Sequence, residues 1–144
     1  MKRLLGIDLG QARVGLAISD ELGMLAHPLE TFPANSSKKL IAHIVALVRE
    51  RTIACVVVGL PRNMDGSAGP AAEQALGFVE KLTAQVTCPV VTWDERLTTV
   101  AANRALHEAG RKTRTTRGHV DQVAAQMILQ GYLDHLQLQR EAQP

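Results

Sequence analysis

Arg3-Leu4-Leu5-Gly6-Ile7-Asp8-Leu9 is apolar at odd and even positions alike, the pattern of a strand covered on both faces of a sheet. Past the turn formers Gly10-Gln11-Ala12, Val14, Leu16 and Ile18 alternate with Gly15, Ala17 and Ser19. That period of two predicts a second strand, close enough behind the first to be its antiparallel partner. A third strand is expected from Met24 to Phe32; Pro28 interrupts it and so places it at an edge. After Pro33-Ala34-Asn35 the period turns helical, with Ser36 at the cap and Leu40, Ile41, Ile44, Val45, Leu47 and Val48 recurring at three and four residues.

Cys55-Val56-Val57-Val58-Gly59 reads as a short interior strand, and the turn-forming stretch from Gly59 to Ser67 as a loop. Pro70 suits the first turn of a helix carried by Ala75, Leu76, Val79 and Leu82. Pro89 to Trp93 is the next strand. Thr98 or Thr99 caps a helix that runs through Leu106 and ends at Gly110, and a last helix spans Gly118 to Leu136. Strands reached through helical crossovers lie parallel to the first. The expectation is therefore a three-layer α/β domain, its mixed five-stranded sheet made of three antiparallel strands and then two parallel ones, with helices on both faces. Residues 1–138 form one domain in this reading, and 139–144 a frayed tail.

With 46% hydrophobic and 21% charged residues among 144, the chain can bury one full core and resembles neither a disordered nor a membrane protein. It is too short for the second lobe of a bilobal kinase or ATPase. Aromatic residues make up 3%, too few for recognition by stacking bases on a row of rings. The net charge of +2 implies no particular partner, but Arg111, Lys112, Arg114 and Arg117 put four cations into seven residues without an acid. The apolar run at the start meets Asp8 too soon for a targeting segment, and Cys55 and Cys88 lack metal-ligand spacing. Both thiols are expected to be buried, in a reducing cytoplasm.

Three carboxylates stand out. Asp8 lies in a strand that must lose hydration, which costs several kcal/mol unless a cation is near; a salt bridge to Arg13 or a turn cap at Gly10 is the structural alternative. Trp93-Asp94-Glu95-Arg96 ends a second parallel strand at the same sheet edge, and alternation lets only one of Asp94 and Glu95 face Asp8. Spacing does not choose between them. Asp121 shares a helix face with Ala124, Ala125 and Ile128, although a first-turn aspartate also serves the helix dipole. Three acids in one cleft repel unless divalent cations join them. All-oxygen ligation calls for Mg²⁺ or Mn²⁺, and the histidines show no paired spacing for zinc. Two such ions about 3.5–4 Å apart support in-line displacement at phosphorus. The basic 111–117 segment, just before Asp121, would carry a polynucleotide backbone past them.

GIDLGQARVGLAISD, VVVGLPRNMDGSAG, DERLTT and VDQVAAQMILQGYL, in that order, resemble the YqgF/RuvX family of Holliday junction resolvases with an RNase H-like fold. The resemblance implies a carboxylate set of Asp8, Glu95 and Asp121, acting as catalytic residues and as ligands of two Mg²⁺ or Mn²⁺ ions. It also implies a cytoplasmic, metal-dependent endonuclease that matures the small-subunit ribosomal RNA precursor or, alternatively, resolves four-way DNA junctions, the latter needing a homodimer. Gly10 and Gly15 belong to its first motif with Arg13, a phosphate contact or a support for the acids. Asn63 falls in the second motif, and Arg96 with Thr98 in the third, all toward nucleic acid. Arg111, Lys112, Arg114 and Arg117 complete the expected footprint. Asp8-x-Gly10-x-x-x-x-Gly15 is also similar to the phosphate loop of actin-like ATPases, which the chain's length disfavours. A non-catalytic RNA-binding assembly factor is the reading from another class.

Overall fold

The computed structural model describes residues 2–62, 65–97 and 117–142, with 117–121 described in the backbone alone. Five strands, β1 (Arg3–Leu9), β2 (Arg13–Ser19), β3 (Ala26–Pro33), β4 (Ile53–Leu60) and β5 (Val90–Asp94), form one sheet in the order β3-β2-β1-β4-β5. β1, β2 and β3 pair antiparallel, and β4 and β5 run parallel to β1. This is the expected mixed sheet. β3 lies at the edge, where Pro28 forfeits no ladder bond that the fold needs, and the register shifts beside it between Leu16 and Ala17.

Two helices, α1 (Ser37–Glu50) and α2 (Pro70–Thr83), cover one face. Ser36 caps α1 as expected, accepting from the Lys39 N–H at 3.2 Å, and Pro70 opens α2. Leu5, Ile7, Val14, Leu16, Val56 and Val58 face these helices. The opposite parity, Leu4, Ala17 and Val57, meets Ala125, Ile128, Leu129 and Leu133 of α3 (Arg117–Ala142). An interior strand buried on both faces is thus what the unbroken apolar run of β1 encodes.

α3 comes unusually close to the sheet. A Cβ at Gly6 would lie 2.7 Å from Leu129 Cβ and 3.1 Å from the Ala125 carbonyl, so the helix backbone rests on a glycine. Gln130 accepts from the Ala26 N–H at 2.8 Å and donates to the Met24 carbonyl at 3.0 Å, while Gln126 donates to the Ala26 carbonyl at 3.0 Å. These bonds hold the helix at Gln126 and Gln130 and so set its register over the sheet.

α3 also corrects an expectation. It runs to Ala142 instead of stopping at Leu136, because Gln137, Leu138, Gln139, Arg140, Glu141 and Ala142 all propagate a helix although the buried stripe has ended. The helix expected from Thr98 to Leu106 lies outside the described residues. Cys55 and Cys88, expected to be buried, are only half-buried, and that burial pushes both thiols up, Cys55 to about 11. Among the described residues no helix is long and apolar enough to cross a membrane.

Candidate active site

The carboxyl ends of β1, β4 and β5 share one edge of the sheet, since all three strands are parallel. Alternation then assigns faces. Leu5 and Ile7 point to α1 and α2, so Asp8 falls with Leu4 and Gly6 on the α3 side. On β5, Val90 packs toward α1 and α2 whereas Val91 and Trp93 pack toward α3, which puts Glu95 on the α3 side and Asp94 on the other. Of the two adjacent acids, Glu95 is therefore the one that meets Asp8.

β4 lies between them, and its glycine makes the meeting possible. Val58 pairs with Ile7 and Gly59 with Trp93, which places Gly59 between Asp8 and the start of the Glu95–Leu97 3₁₀ turn. A Cβ on Gly59 would stand 3.0 Å from Glu95 Oε1, 3.2 Å from its Cδ and 2.5 Å from Ile128 Cδ1. The Glu95 carboxyl thus lies over the bare Cα of β4. Burial raises its pKa first, then the charge of Asp8 and a hydrogen bond to Asp8, then the charge of Asp94, to about 7. Two acids that share a proton near neutrality form the donor set a hard divalent ion would neutralise, so these residues fit Mg²⁺ or Mn²⁺.

Gly59→Ala should accordingly lower any hydrolytic turnover by about tenfold to a hundredfold by displacing Glu95, and cost about 1–3 kcal/mol through the contact with Ile128. Turnover and urea midpoints measured side by side check this; a variant with unchanged kcat would mean that Glu95 does not depend on the gap.

Asp121 lies on α3 four residues before Ala125 and seven before Ile128, both of which are buried against the sheet. Its backbone is thereby on the helix segment leading to the same edge, and its side chain lies outside the described atoms. Arg13 opens β2 at this edge, its carbonyl accepting from the Gly10 N–H at 3.1 Å. A Cβ on Gly10 would sit 2.3 Å from that carbonyl, so the turn requires the glycine. Arg96, expected at a phosphate, has its guanidinium on Asp94. Asn63, Thr98, Arg111, Lys112 and Arg114 lie outside the described residues, and Arg117 is the first residue of α3 in backbone only.

Sequence reasoning missed two contributors. Gly59 reads from sequence as the end of an interior strand and the first residue of the motif loop, and nothing local marks it as clearance for a carboxylate from another strand. Spacing gives Asp94 no role once the resemblance points to Glu95; its partner Arg96 stands two residues on, a spacing that reads as opposite in charge but not as paired.

A family model described as RuvX: Holliday junction resolvase matches residues 2–135. A protein of Halalkalibacterium halodurans named "Putative pre-16S rRNA nuclease" is 45% identical over 138 residues, covering 94% of this chain and 99% of its own length. Its namesake in Chloroflexus aggregans is 48% identical over 131 residues, covering 91% and 92%. Among solved structures, Thermus thermophilus RuvC in complex with a Holliday junction substrate matches with a TM-score of 0.66 at 16% identity, over 96% of this chain and 97% of that one. The fowlpox virus Holliday junction resolvase matches at 0.55 and 11% identity, over 92% and 99%. These structural likenesses carry the fold, which is the RNase H-like fold of the RuvC resolvases.

Proposed function

The chain belongs to the RuvX family, and we propose that it is a metal-dependent endonuclease that hydrolyses phosphodiester bonds at the 5′ end of the small-subunit ribosomal RNA precursor. The observation that carries this reading is the meeting of Asp8 and Glu95 across Gly59 at the carboxyl edge of the sheet, where burial and then the charge and hydrogen bond of Asp8 raise Glu95 to about 7. The name of its relatives, similar over nearly their whole length, supports the RNA substrate.

Asp8 and Glu95, joined by Asp121 from α3, would hold Mg²⁺ or Mn²⁺. Ions held there would supply Lewis acidity toward a water and toward the leaving oxygen. The chain's own residues do the positioning. β1 and the 3₁₀ turn after β5 present the two acids, Gly59 leaves the room in which the Glu95 carboxyl lies, and Ile128 packs beside that glycine as an apolar wall. Glu95, with a pKa near 7, is able to hold or release a proton at working pH. Arg13, Asn63, Thr98, Arg111, Lys112, Arg114 and Arg117 make up the footprint on the polynucleotide backbone.

Charge reversal at Arg111, Lys112 or Arg114 should weaken binding evenly across sequences and lower the salt slope by about one per residue. Anisotropy titrations over a range of KCl read it, and an unchanged slope removes that residue from the footprint.

A second reading, resolution of four-way DNA junctions by a homodimer, is favoured by the description of the family model and by the RuvC-like fold. One assay decides among these. Purified protein is given a precursor rRNA 5′ junction, single-stranded RNA and four-way DNA, each with Mg²⁺, Mn²⁺ or chelator. Metal-dependent cutting of the precursor alone supports the first reading, and symmetrical cutting of the junction the second. Tight binding with no cutting by wild type or Asp8→Asn would leave an assembly factor that binds RNA without catalysis.

A further inference from the structure

We propose that Asp94 and Arg96 form a clasp that positions Glu95 and the turn around Gly66, so that Arg96 serves the site as a positioning residue and not as a contact to phosphate. The inference rests on the nuclease reading but concerns residues on the opposite side of β5 from the paired acids.

Arg96 Nε donates to both carboxylate oxygens of Asp94, at 3.1 and 3.0 Å, and Nη2 donates to Oδ2 at 2.6 Å. The Arg96 backbone N–H adds a fourth bond, to Oδ1 at 2.9 Å. That last bond closes a turn across the residue between, which is Glu95. Glu95 begins a 3₁₀ turn of only three residues, and a turn that short has little internal bonding to set its backbone. Asp94 and Arg96 supply the missing constraint, so the direction in which the Glu95 side chain leaves β5 is set from behind.

The clasp also reaches the neighbouring loop. Arg96 Nη1 lies 3.3 Å from the position a Cβ on Gly66 would take, so the guanidinium rests against the Cα of a residue at φ +88°. Gly66 is held in turn: its carbonyl accepts from Arg62 Nη1 at 3.2 Å, Arg62 bridges to Ala68, and Asp65 accepts from the Ser67 N–H and Oγ at 2.9 and 2.6 Å. A larger residue at 66 would meet the guanidinium and be strained at that φ. With Nε and one N–H of Nη2 on Asp94, the carboxylate sets the direction of the guanidinium, and a phosphate would meet only the N–H groups left on Nη1 and Nη2. A half-exposed ion pair adds little stability by itself; what it contributes here is direction.

The test compares Arg96→Ala, Asp94→Ala, their double variant and Asp94→Asn. RNA binding is read by anisotropy in chelator, using an oligonucleotide with the precursor 5′ junction. A positioning role predicts binding within twofold of wild type and an unchanged salt slope for Arg96→Ala. It also predicts kcat down by about tenfold to a hundredfold at constant KM and Mn²⁺ affinity, measured by calorimetry without nucleic acid, down by a similar factor of about 10–100. The double variant should be no worse than either single one, and Asp94→Asn, which keeps an acceptor for the Arg96 N–H, should recover part of the loss. Weaker metal-free binding with a salt slope lower by about one would overturn the proposal in favour of a phosphate contact. A crystal structure of Arg96→Ala decides the matter even for a protein that cleaves nothing: Glu95 displaced from Gly59 supports the clasp, and Glu95 unmoved overturns it.

Discussion

Asp8→Asn should reduce cleavage of the precursor by roughly a thousandfold or more, because groups that act as a unit lose nearly everything when one is removed. The amide keeps the size and much of the hydrogen bonding of the carboxylate but not its charge, and charge is what both a divalent ion and the shared proton require. Folding should survive, since Asp8 sits at the end of β1 beyond the core residues Leu5 and Ile7. The variant should even relieve the site, because the charge of Asp8 is one of the causes that raise Glu95. Single-turnover kinetics alongside circular dichroism check both halves. Wild-type cleavage by the variant, after removal of contaminating nuclease, would remove Asp8 from catalysis.

The five strands, their sense and the first two helices were legible because periodicity reports burial, and burial is what the sheet and its two helical layers distribute. β1 shows this well: its unbroken apolar run can only be a strand with α1 and α2 on one side and α3 on the other. Local pattern reached its limit at Asp94 and Glu95. Alternation guarantees that two adjacent acids face opposite ways but carries no label for which face holds the site, and that label comes from Trp93 packing against Tyr132 of α3 with ring centroids 6.1 Å apart. Gly59 shows the same limit from the other side. Its effect is an absent Cβ felt by a residue 36 positions later, and no window along the chain contains both. For Arg96, charge suggested phosphate, whereas the guanidinium lies on Asp94, a contact made when the 3₁₀ turn folds residue 96 back on residue 94.

Glu95→Gln should abolish cleavage as fully as Asp8→Asn while making the metal-free protein more stable at neutral and alkaline pH. In the folded chain Glu95 has a pKa of about 7, against an ordinary value of 4.5. Between those values the folded state binds the proton more tightly than the unfolded state does. The stability that Glu95 contributes is therefore greatest below about 4.5, falls as pH rises, and levels off above about 7. A shift of that size is worth at most about 3 kcal/mol, and the half-exposed setting of Glu95 brings it to about 1–2 kcal/mol. For a chain of this length that corresponds to about 3–8 °C in Tm. The proton belongs to the pair, so Asp8→Asn should flatten the same slope. Melting curves in chelator from pH 5 to 8 should thus descend for wild type and stay flatter for Glu95→Gln. Mg²⁺ or Mn²⁺ should raise the wild-type Tm more at pH 8 than at pH 5, because the ion competes with the proton for the same oxygens, and should do little for the glutamine variant. Parallel curves for the two proteins in chelator would mean that the acids do not share a proton, and with it would go the electrostatic reason for an ion between them.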